Sequence, residues 1–434
     1  MASALPAGPS TTITAPGGKY GFALSVLASL FFMWGFITVL DDILVPHLKA
    51  VFDLNYTESM LVQFIWYIGY FVMALPSARL VERVGYKKSL VIGLLVMAAG
   101  CLGFLPASNL VSFPAFLAAL FVVVSGITLL QVAANPYVAV IGPAESAPAR
   151  LNLVQALNSM GAAAAPLFGS LLILGRSTSG TMQSGHVLTQ AEKLADARSV
   201  QLPYLGLVVV LVALAAIIGR LKLPDLGAAT RRLAREERTR LSLWDHKNLI
   251  FGVPAIFLYM IIEIGVGSLF INYIKQPDVG NMTAAQAGLY LPFLWGGMMV
   301  GRFLGAGLMQ FIPGEKVLAA FSACAFLLLA VVIVIGGPIS LYALMAIGLF
   351  HSIMFPTIFT LGIKGLGPLT EEGSGLLIMA IAGGAVAEAQ GWLADHYSLQ
   401  MSFLLPAACE LYMLWYALRG SRTTKLEAPE TLSA

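Results

Sequence analysis

Two adjacent aspartates, Asp41 and Asp42, interrupt the run Phe31–Lys49, which is otherwise apolar enough for the hydrocarbon core of a bilayer. An ionisable side chain near a bilayer centre costs at least ~2.5 kcal/mol on insertion scales, so a spanning helix that keeps one has a use for it. In that setting a carboxylate can take up a proton or hold a cation through its oxygens. Glu263, inside the apolar run 249–274, is a third carboxylate of this kind. A second set of groups consists of amides: Gln131 and Asn135 in the run 110–142, and Asn152, Gln155 and Asn158 in the run 151–175. The last three are spaced by threes, which places them along one helix face. Each amide offers donors and an acceptor, suited to a neighbouring helix or to a small polar ligand. For Asn135, and for Asn272 in the run 249–274, helix association is the stronger reading; for Asn152 the two readings balance.

The elements that position these groups are membrane helices. The chain has 434 residues, 58% hydrophobic and 11% charged, whereas a soluble domain carries about 25% charged residues. Apolar runs of roughly 20 residues, each able to cross ~30 Å of hydrocarbon as a helix, recur throughout. They lie near 21–47, 58–80, 89–107, 110–142, 151–175, 202–221, 249–274, 284–310, 316–336, 338–363, 373–392 and 401–418. The expectation is an all-α integral membrane protein with about twelve transmembrane helices. Lys and Arg collect in alternate connections: Arg79, Arg83, Lys87 and Lys88; then Arg220, Lys222, Arg231, Arg232, Arg235, Arg238, Arg240 and Lys247; then Arg419, Arg422 and Lys425. The positive-inside rule therefore puts both termini in the cytoplasm.

The net charge of +3 is a matter of topology, and no nucleic-acid partner is expected. Residues 1–19 are rich in Pro, Ser, Thr and Gly with no basic segment ahead of an apolar core, which predicts a disordered tail and no cleaved signal peptide. Cys101, Cys324 and Cys409 lie in apolar runs without metal spacing. Neither a phosphate loop nor a nucleophile triad is visible, so neither an enzyme nor a cofactor is expected. The polar loop 176–201 carries no evident chemistry.

A basic stretch, 227–247, divides six runs from six. The predicted organisation is a cytoplasmic tail (1–19), a first six-helix half (20–222), a basic cytoplasmic linker (223–247), a second six-helix half (248–420) and a C-terminal tail (421–434). The linker's Arg-Arg-Leu-Ala-Arg-Glu-Glu-Arg-Thr-Arg run is either an amphipathic helix on the cytoplasmic leaflet or a solvated connection. Two correspondences suggest that the halves are repeats. Lys49 precedes Asn55-Tyr-Thr57 at the same offset as Lys275 precedes Asn281-Met-Thr283, and Pro136 with Gly142 matches Pro356 with Gly362. Thr57 and Thr283 are expected N-caps, with Gln286 completing a capping box. On the first offset Glu263 aligns with Ile37, which sets it roughly 7 to 8 Å nearer mid-membrane than Asp42 at ~1.5 Å rise per residue.

After the second run the chain reads Ala78-Arg-Leu-Val-Glu82-Arg83-Val-Gly85-Tyr-Lys87-Lys88. This resembles the signature loop of the major facilitator superfamily, with Ala78 for its first Gly and Glu82 for its Asp. Such a loop would relay charge at the cytoplasmic ends of helices that part when the protein changes state; the plainer alternative is a basic loop obeying topology. Its copy after the eighth run, Gly307 to Lys316 with Gly314, lacks the acidic–Arg pair. Glu82, Arg83, Arg150 and Arg302 are the expected gate residues, Arg302 by contacting a carbonyl or carboxylate between helices.

The resemblance narrows in four segments: Asp-Asp-Ile-Leu-Val-Pro in the first run, Leu130-Gln131-Val-Ala-Ala-Asn135-Pro136-Tyr137, Arg150-Leu-Asn152-Leu-Val-Gln155-Ala-Leu-Asn158-Ser-Met-Gly161, and Phe355-Pro-Thr-Ile-Phe-Thr-Leu-Gly-Ile-Lys364. Together they resemble the fucose/galactose/glucose symporter family of that superfamily, along nearly the whole membrane domain. The resemblance implies two pseudo-symmetric six-helix halves around a central cavity. It also implies alternating-access import of a neutral hexose with a proton or sodium ion, by a monomer in the lipid bilayer of a bacterial inner membrane. Asp42 matches the family's first-run carboxylate. Gln131 falls where the fucose/proton branch has a glutamate and resembles the glucose/galactose branch, which has Gln there and a Glu in the seventh run, here Glu263.

Asp42 and Glu263 are thus the expected ion-coupling residues, Glu263 either sharing that duty or hydrogen-bonding the sugar. Gln131, Asn135, Gln155, Asn158 and Asn272 are the expected sugar ligands, because amides on an apolar wall suit a polyol. Trp34 is expected to stack on the ring, with Trp66, Trp295 and Phe355 as weaker candidates. Gly383-Gly384-Ala-Val-Ala-Glu388-Ala-Gln390-Gly391 is one residue short of the family pattern and lacks its proline, which puts the helix geometry there in question. His351 either relays protons or is a hydrogen-bonded structural histidine. The competing readings are the same mechanism with N-acetylglucosamine or fucose, and a membrane sugar sensor without net transport.

Overall fold

The computed structural model describes residues 20–52, 56–110, 112–172, 198, 201–221, 223 and 242–423, with the side chains of 20, 40–52, 56–60, 166–172, 284 and 285 outside that description. The expectations for both tails, for most of the basic linker and for the polar loop 176–201 lie outside the described residues. Among those described there is no strand.

The first half comprises α1 (Tyr20–Phe52), α2 (Tyr56–Val84), α3 (Tyr86–Leu110), α4 (Phe113–Val140), α5 (Ala147–Leu172) and α6 (Gln201–Arg220). The second comprises α7 (Lys247–Ile274), α8 (Leu291–Leu308), α9 (Gly314–Ala330) and a tenth crossing in two pieces, α10 (Gly337–His351) and α11 (Met354–Ile363). The eleventh crossing is α12 (Thr370–Met379), a tighter 3-10 segment (Ala380–Ala387) and α13 (Glu388–His396); the twelfth is α14 (Leu404–Trp415) with a closing π turn (Tyr416–Gly420). Among the described residues eleven helical spans are long and apolar enough to cross a membrane, and α5, partly outside that set, packs along α1 as the twelfth.

Helix ends follow local chemistry. Gly85 joins α2 to α3 at φ +86°, a left-handed conformation that suits glycine in the signature loop. The expected capping box exists: Thr283 Oγ1 accepts from the Gln286 amide N–H and Gln286 Oε1 accepts from the Thr283 N–H. Thr57 is different. Helix α2 already begins at Tyr56, so Thr57 lies inside the first turn and is not the N-cap.

Two of the expected spans are not continuous α-helices. The tenth opens at Ser352–Ile353, and the eleventh tightens to 3-10 geometry at Ala380–Ala387, where the sequence already departed from its family pattern. A β-carbon on Gly383 would strike the Phe257 carbonyl of α7, and one on Gly384 would strike the Tyr67 ring of α2. Small residues here let two helices close on one segment, as at membrane helix interfaces generally.

The same device holds α1 against α5. A β-carbon on Gly161 would overlap the Phe32 carbonyl oxygen, and one on Gly35 would overlap the Asn158 carbonyl. Gly161→Val is therefore expected to destabilise the protein by about 3 kcal/mol, the upper range for an overpacked core. A thermal melt of the detergent-solubilised protein checks this, and a melt equal to the parent's would refute it.

The halves meet along two seams. One joins α2 to α12 and the 3-10 segment, with α4 alongside; the other joins α5 to α8 and α11. In the first, Ser374 Oγ donates to the Val132 carbonyl at 3.2 Å. In the second, Asn152 Nδ2 donates to Thr357 Oγ1 at 3.2 Å and contacts Met309 Sδ at 3.4 Å. A cavity of about 790 Å³ opens between the halves beside the loops, lined by Tyr86, Gly142, Glu145, Phe311, Lys364 and Glu371 among others.

Candidate functional site

Glu263 stands near the middle of α7, half-buried, one turn beyond the fully buried Tyr259. The Arg302 guanidinium, the Tyr259 hydroxyl and the His351 imidazole are all within electrostatic reach of its carboxylate. Arg302 of α8 is fixed on three sides. Its Nε donates to the Ser352 carbonyl at 3.1 Å, and Nη1 donates to the Gln155 carbonyl at 3.2 Å and to the Ser159 hydroxyl. Ser352 belongs to the break in the tenth crossing, whereas Gln155 and Ser159 belong to α5, so one arginine ties the two halves together. The carbonyl contact expected of Arg302 is present.

The approach of α8 to the break depends on glycines one turn apart. Gly301 faces the Leu349 carbonyl and the Ser352 hydroxyl, and Gly305 faces the Ile353 side chain. A side chain at Gly301 would push α8 away and lengthen the Arg302–Ser352 bond.

The other expected gate residues sit apart from this cluster. Arg150 binds the carbonyls at the end of α4: Nε to Val138 at 3.1 Å, Nη2 to Ala139 at 2.7 Å and Nη1 to Pro143 at 2.8 Å, besides the Ser146 hydroxyl at 2.5 Å. It supplies partners to carbonyls that a helix C-terminus leaves free. Glu82 is half-buried and Arg83 exposed in the loop around Gly85, where Lys87 Nζ reaches the Gly219 carbonyl at 2.9 Å.

Among the expected ligands, Gln131 is buried and its Nε2 donates to the Tyr70 hydroxyl at 2.6 Å, while its Oε1 has no partner. Asn135, one turn along α4, is fully buried with both amide atoms unpartnered, and buried Gln155 has an unpartnered Nε2. Asn158 is a helix tie, its Nδ2 donating to the Phe31 carbonyl at 2.9 Å. Asn272 is exposed near the end of α7. Trp34 is half-buried against Phe31, ring centroids 5.2 Å apart. Asp42 lies on α1, but its side chain, like that of Asp41, is outside the described residues. Gln131, Asn135, Gln155, Asn158, Asn272 and Trp34 do not line the cavity beside the loops.

Sequence reasoning missed two groups. Glu410, on α14, is 0% exposed, and His351 Nε2 lies 3.0 Å from its Oε1. Gln390 is fully buried against Gly265 with both amide atoms unpartnered. For Glu410 the signal was available: it is a carboxylate in an apolar run, the same anomaly that singled out Asp42. Glu388, in the atypical segment of the eleventh crossing, is exposed on the surface of α13. Among the described residues no group of three or more His, Cys, Asp or Glu could hold a metal ion.

The eleven apolar spans and α5 among the described residues, the Gly85 loop and the α5–α8 seam can be set beside known proteins. A profile of the Major Facilitator Superfamily matches residues 22–388. The glucose/galactose transporter of Brucella abortus biovar 1 (strain 9-941) is 44% identical over 425 residues, covering 98% of this chain and 100% of that protein. The L-fucose-proton symporter of Escherichia coli (strain K12) is 34% identical over 424 residues, covering 93% of this chain and 94% of its own length. The crystal structure of the major facilitator transporter FucP in the outward conformation superimposes with a TM-score of 0.81 at 33% identity, covering 93% of this chain and 100% of that one. Identity at this level over nearly the full length, with the same fold, places the chain in the major facilitator superfamily, in the family of glucose/galactose transporters and L-fucose-proton symporters.

Proposed function

We propose that this protein is a secondary active sugar transporter that imports a neutral hexose of the glucose/galactose type together with a proton or sodium ion by alternating access. The observation that carries this reading is the occurrence, in one apolar bundle, of a half-buried carboxylate, Glu263, and buried amides with unfilled bonding capacity: Gln131 Oε1, both ends of Asn135 and Gln155 Nε2. An unmade hydrogen bond on a buried polar group costs about 1–3 kcal/mol. A polyol both donates and accepts, so a sugar reaching these amides when the halves part would satisfy them. The names of the relatives supply the substrate class, and the symporter among them supports cation coupling. Asp42 and Glu263 would bind the ion, because a carboxylate left charged opposes occlusion in a dry bundle. The protein would act as a monomer in the bacterial inner membrane with both termini cytoplasmic, the side on which the basic connections lie.

Counterflow in proteoliposomes tests this. Preloaded unlabelled D-glucose or D-galactose should drive transient uptake of the labelled sugar, with L-fucose and N-acetylglucosamine as competitors to rank specificity. Absence of counterflow with both D-glucose and D-galactose would overturn the proposal. Gln155→Leu probes the ligand role further. Replacing a buried amide whose Nε2 is unpartnered by an apolar group of similar size should leave the melting temperature equal or higher, while the sugar concentration for half-maximal uptake rises about tenfold. An unchanged half-saturation would remove Gln155 from the site.

A further inference from the structure

Within electrostatic reach of Glu263 lies His351, one of a pair that neither the sequence nor the relatives' names assign. His351 closes α10 and Glu410 stands on α14; their side chains are 3% and 0% exposed, with Nε2 and Oε1 3.0 Å apart. Both elements face α9, which carries no Asp, Glu, Lys, Arg or His between Lys316 and Ile335 and only Cys324 as a titratable group. The contact is an ion-pair approach: His351 Nε2 and both Glu410 oxygens are without a partner in hydrogen-bond geometry.

We propose that His351 and Glu410 bind and release one proton as a unit, forming a second proton site in the C-terminal half that communicates with the half-buried Glu263. The proposal rests on the transport reading above and names the proton as a ligand of that half. Two lone pairs 3.0 Å apart in a buried site repel unless one of the two groups carries a proton. The forms without net charge are imidazolium with carboxylate and neutral imidazole with carboxylic acid, and each holds one proton more than neutral imidazole with carboxylate. An isolated charge is expensive in a dry interior, so the proton belongs to the pair and not to either residue.

The surrounding charges make this proton consequential. Helix α7 presents Glu263 and Tyr259, α8 presents Arg302, and Cys409 sits next to Glu410 on α14. With Glu263 ionised and Arg302 positive, the cluster is neutral when the pair holds its proton and carries one net negative charge when it does not. Passing that proton to the Glu263 carboxylate breaks the bond to the pair, forms one to a Glu263 oxygen and moves the negative charge from Glu263 to the pair. Total charge is conserved within the cluster. Arg302, within reach of Glu263 and hydrogen-bonded to the Ser352 carbonyl next to His351, is the cation that both positions share. It is also the tie to α5. The transfer would therefore change the charge balance at the residue that joins the halves.

The test uses the full chain in proteoliposomes, with Glu410→Gln, His351→Gln and the double variant. Sugar counterflow, which needs no net proton movement, should stay within about twofold of the parent, while accumulation driven by a proton gradient should fall at least about tenfold. The double variant should do no worse than either single one, as expected of groups that act as a unit. Accumulation equal to the parent's in either single variant, with the same dependence on pH, would overturn the proposal; so would counterflow falling in step with accumulation, the mark of a structural role.

A second measurement does not depend on sugar. In protein labelled with nitrogen-15 histidine, the resonance assigned to His351 by its loss in His351→Gln should titrate differently in Glu410→Gln. An unaltered titration refutes the pair. A parent that shows no counterflow but an altered titration would fail the transport reading and retain the proton pair.

Discussion

Proteoliposomes carrying Asp42→Asn are expected to exchange labelled sugar between the two sides of the membrane and to fail to concentrate it. The substitution keeps the size of the side chain and removes its ability to carry a charge that a proton or cation could neutralise. Exchange needs only the sugar-loaded protein to reorient, whereas accumulation requires that empty and loaded carriers differ in bound charge. A potential of 100 mV is worth about 2.3 kcal/mol per charge moved. One coupled charge then supports an accumulation ratio of about 50, and Asp42→Asn should bring that ratio close to one. Asp41, one residue away and about 100° round the helix, provides the comparison: Asp41→Asn should retain accumulation. Repeating the parent measurement at fixed pH with sodium replaced by choline identifies the ion. Accumulation by Asp42→Asn at the parent level would remove the first-helix carboxylate from the coupling mechanism.

Much of the fold is written in hydropathy, because a bilayer leaves the backbone few choices. A run of twenty apolar residues must satisfy its own amides, so the helices between Tyr20 and Gly420 were legible as spans. Punctuation set by neighbours was not. The break at Ser352–Ile353 was half-legible: Pro356 has no N–H for the Ser352 carbonyl four residues back, but that Arg302 takes this carbonyl and that the glycines of α8 bring that helix into contact are tertiary features. Thr57 shows the converse, a plausible cap by residue type that the chain bypasses by starting α2 at Tyr56.

The candidate site divides in the same way. Glu263 was visible from one residue in one run. Glu410 carried the same signal, but its significance needed His351, 59 positions away, and only packing brings them together. Amides are the least legible, since the side chain that ties helices is the one that holds a hydroxyl. Asn158 reads like Gln155 along the stripe, yet it spends its donor on Phe31, whereas Gln155 keeps Nε2 free.

The second large effect is expected at Arg302. Of its three partners, the Gln155 carbonyl and the Ser159 hydroxyl lie across the seam on α5, and the Ser352 carbonyl lies on its own side. Hydrogen bonds from a charged donor contribute about 1.5–3 kcal/mol each. Losing the two that cross the seam should therefore weaken closure here by about 3 kcal/mol, shifting the balance between seam-closed and seam-open forms by roughly a hundredfold. Arg302→Ala should then show two coupled changes. Counterflow falls at least about tenfold, because each cycle must pass through the closed seam. Chemical access to the seam rises at the same time.

Met309, 4% exposed and in contact with Asn152 across the seam, reports that access. With Cys101, Cys324 and Cys409 replaced by alanine, maleimide labelling of Met309→Cys should speed up at least about tenfold when Arg302→Ala is added. Arg302→Lys should fall between the two, since an ammonium keeps the charge but cannot fork to carbonyls on separate helices. Labelling that is indifferent to Arg302 would mean that the apolar contacts between α5 and α8 close the seam by themselves. The arginine would then serve only to bond the Ser352 carbonyl and to balance the charge of Glu263.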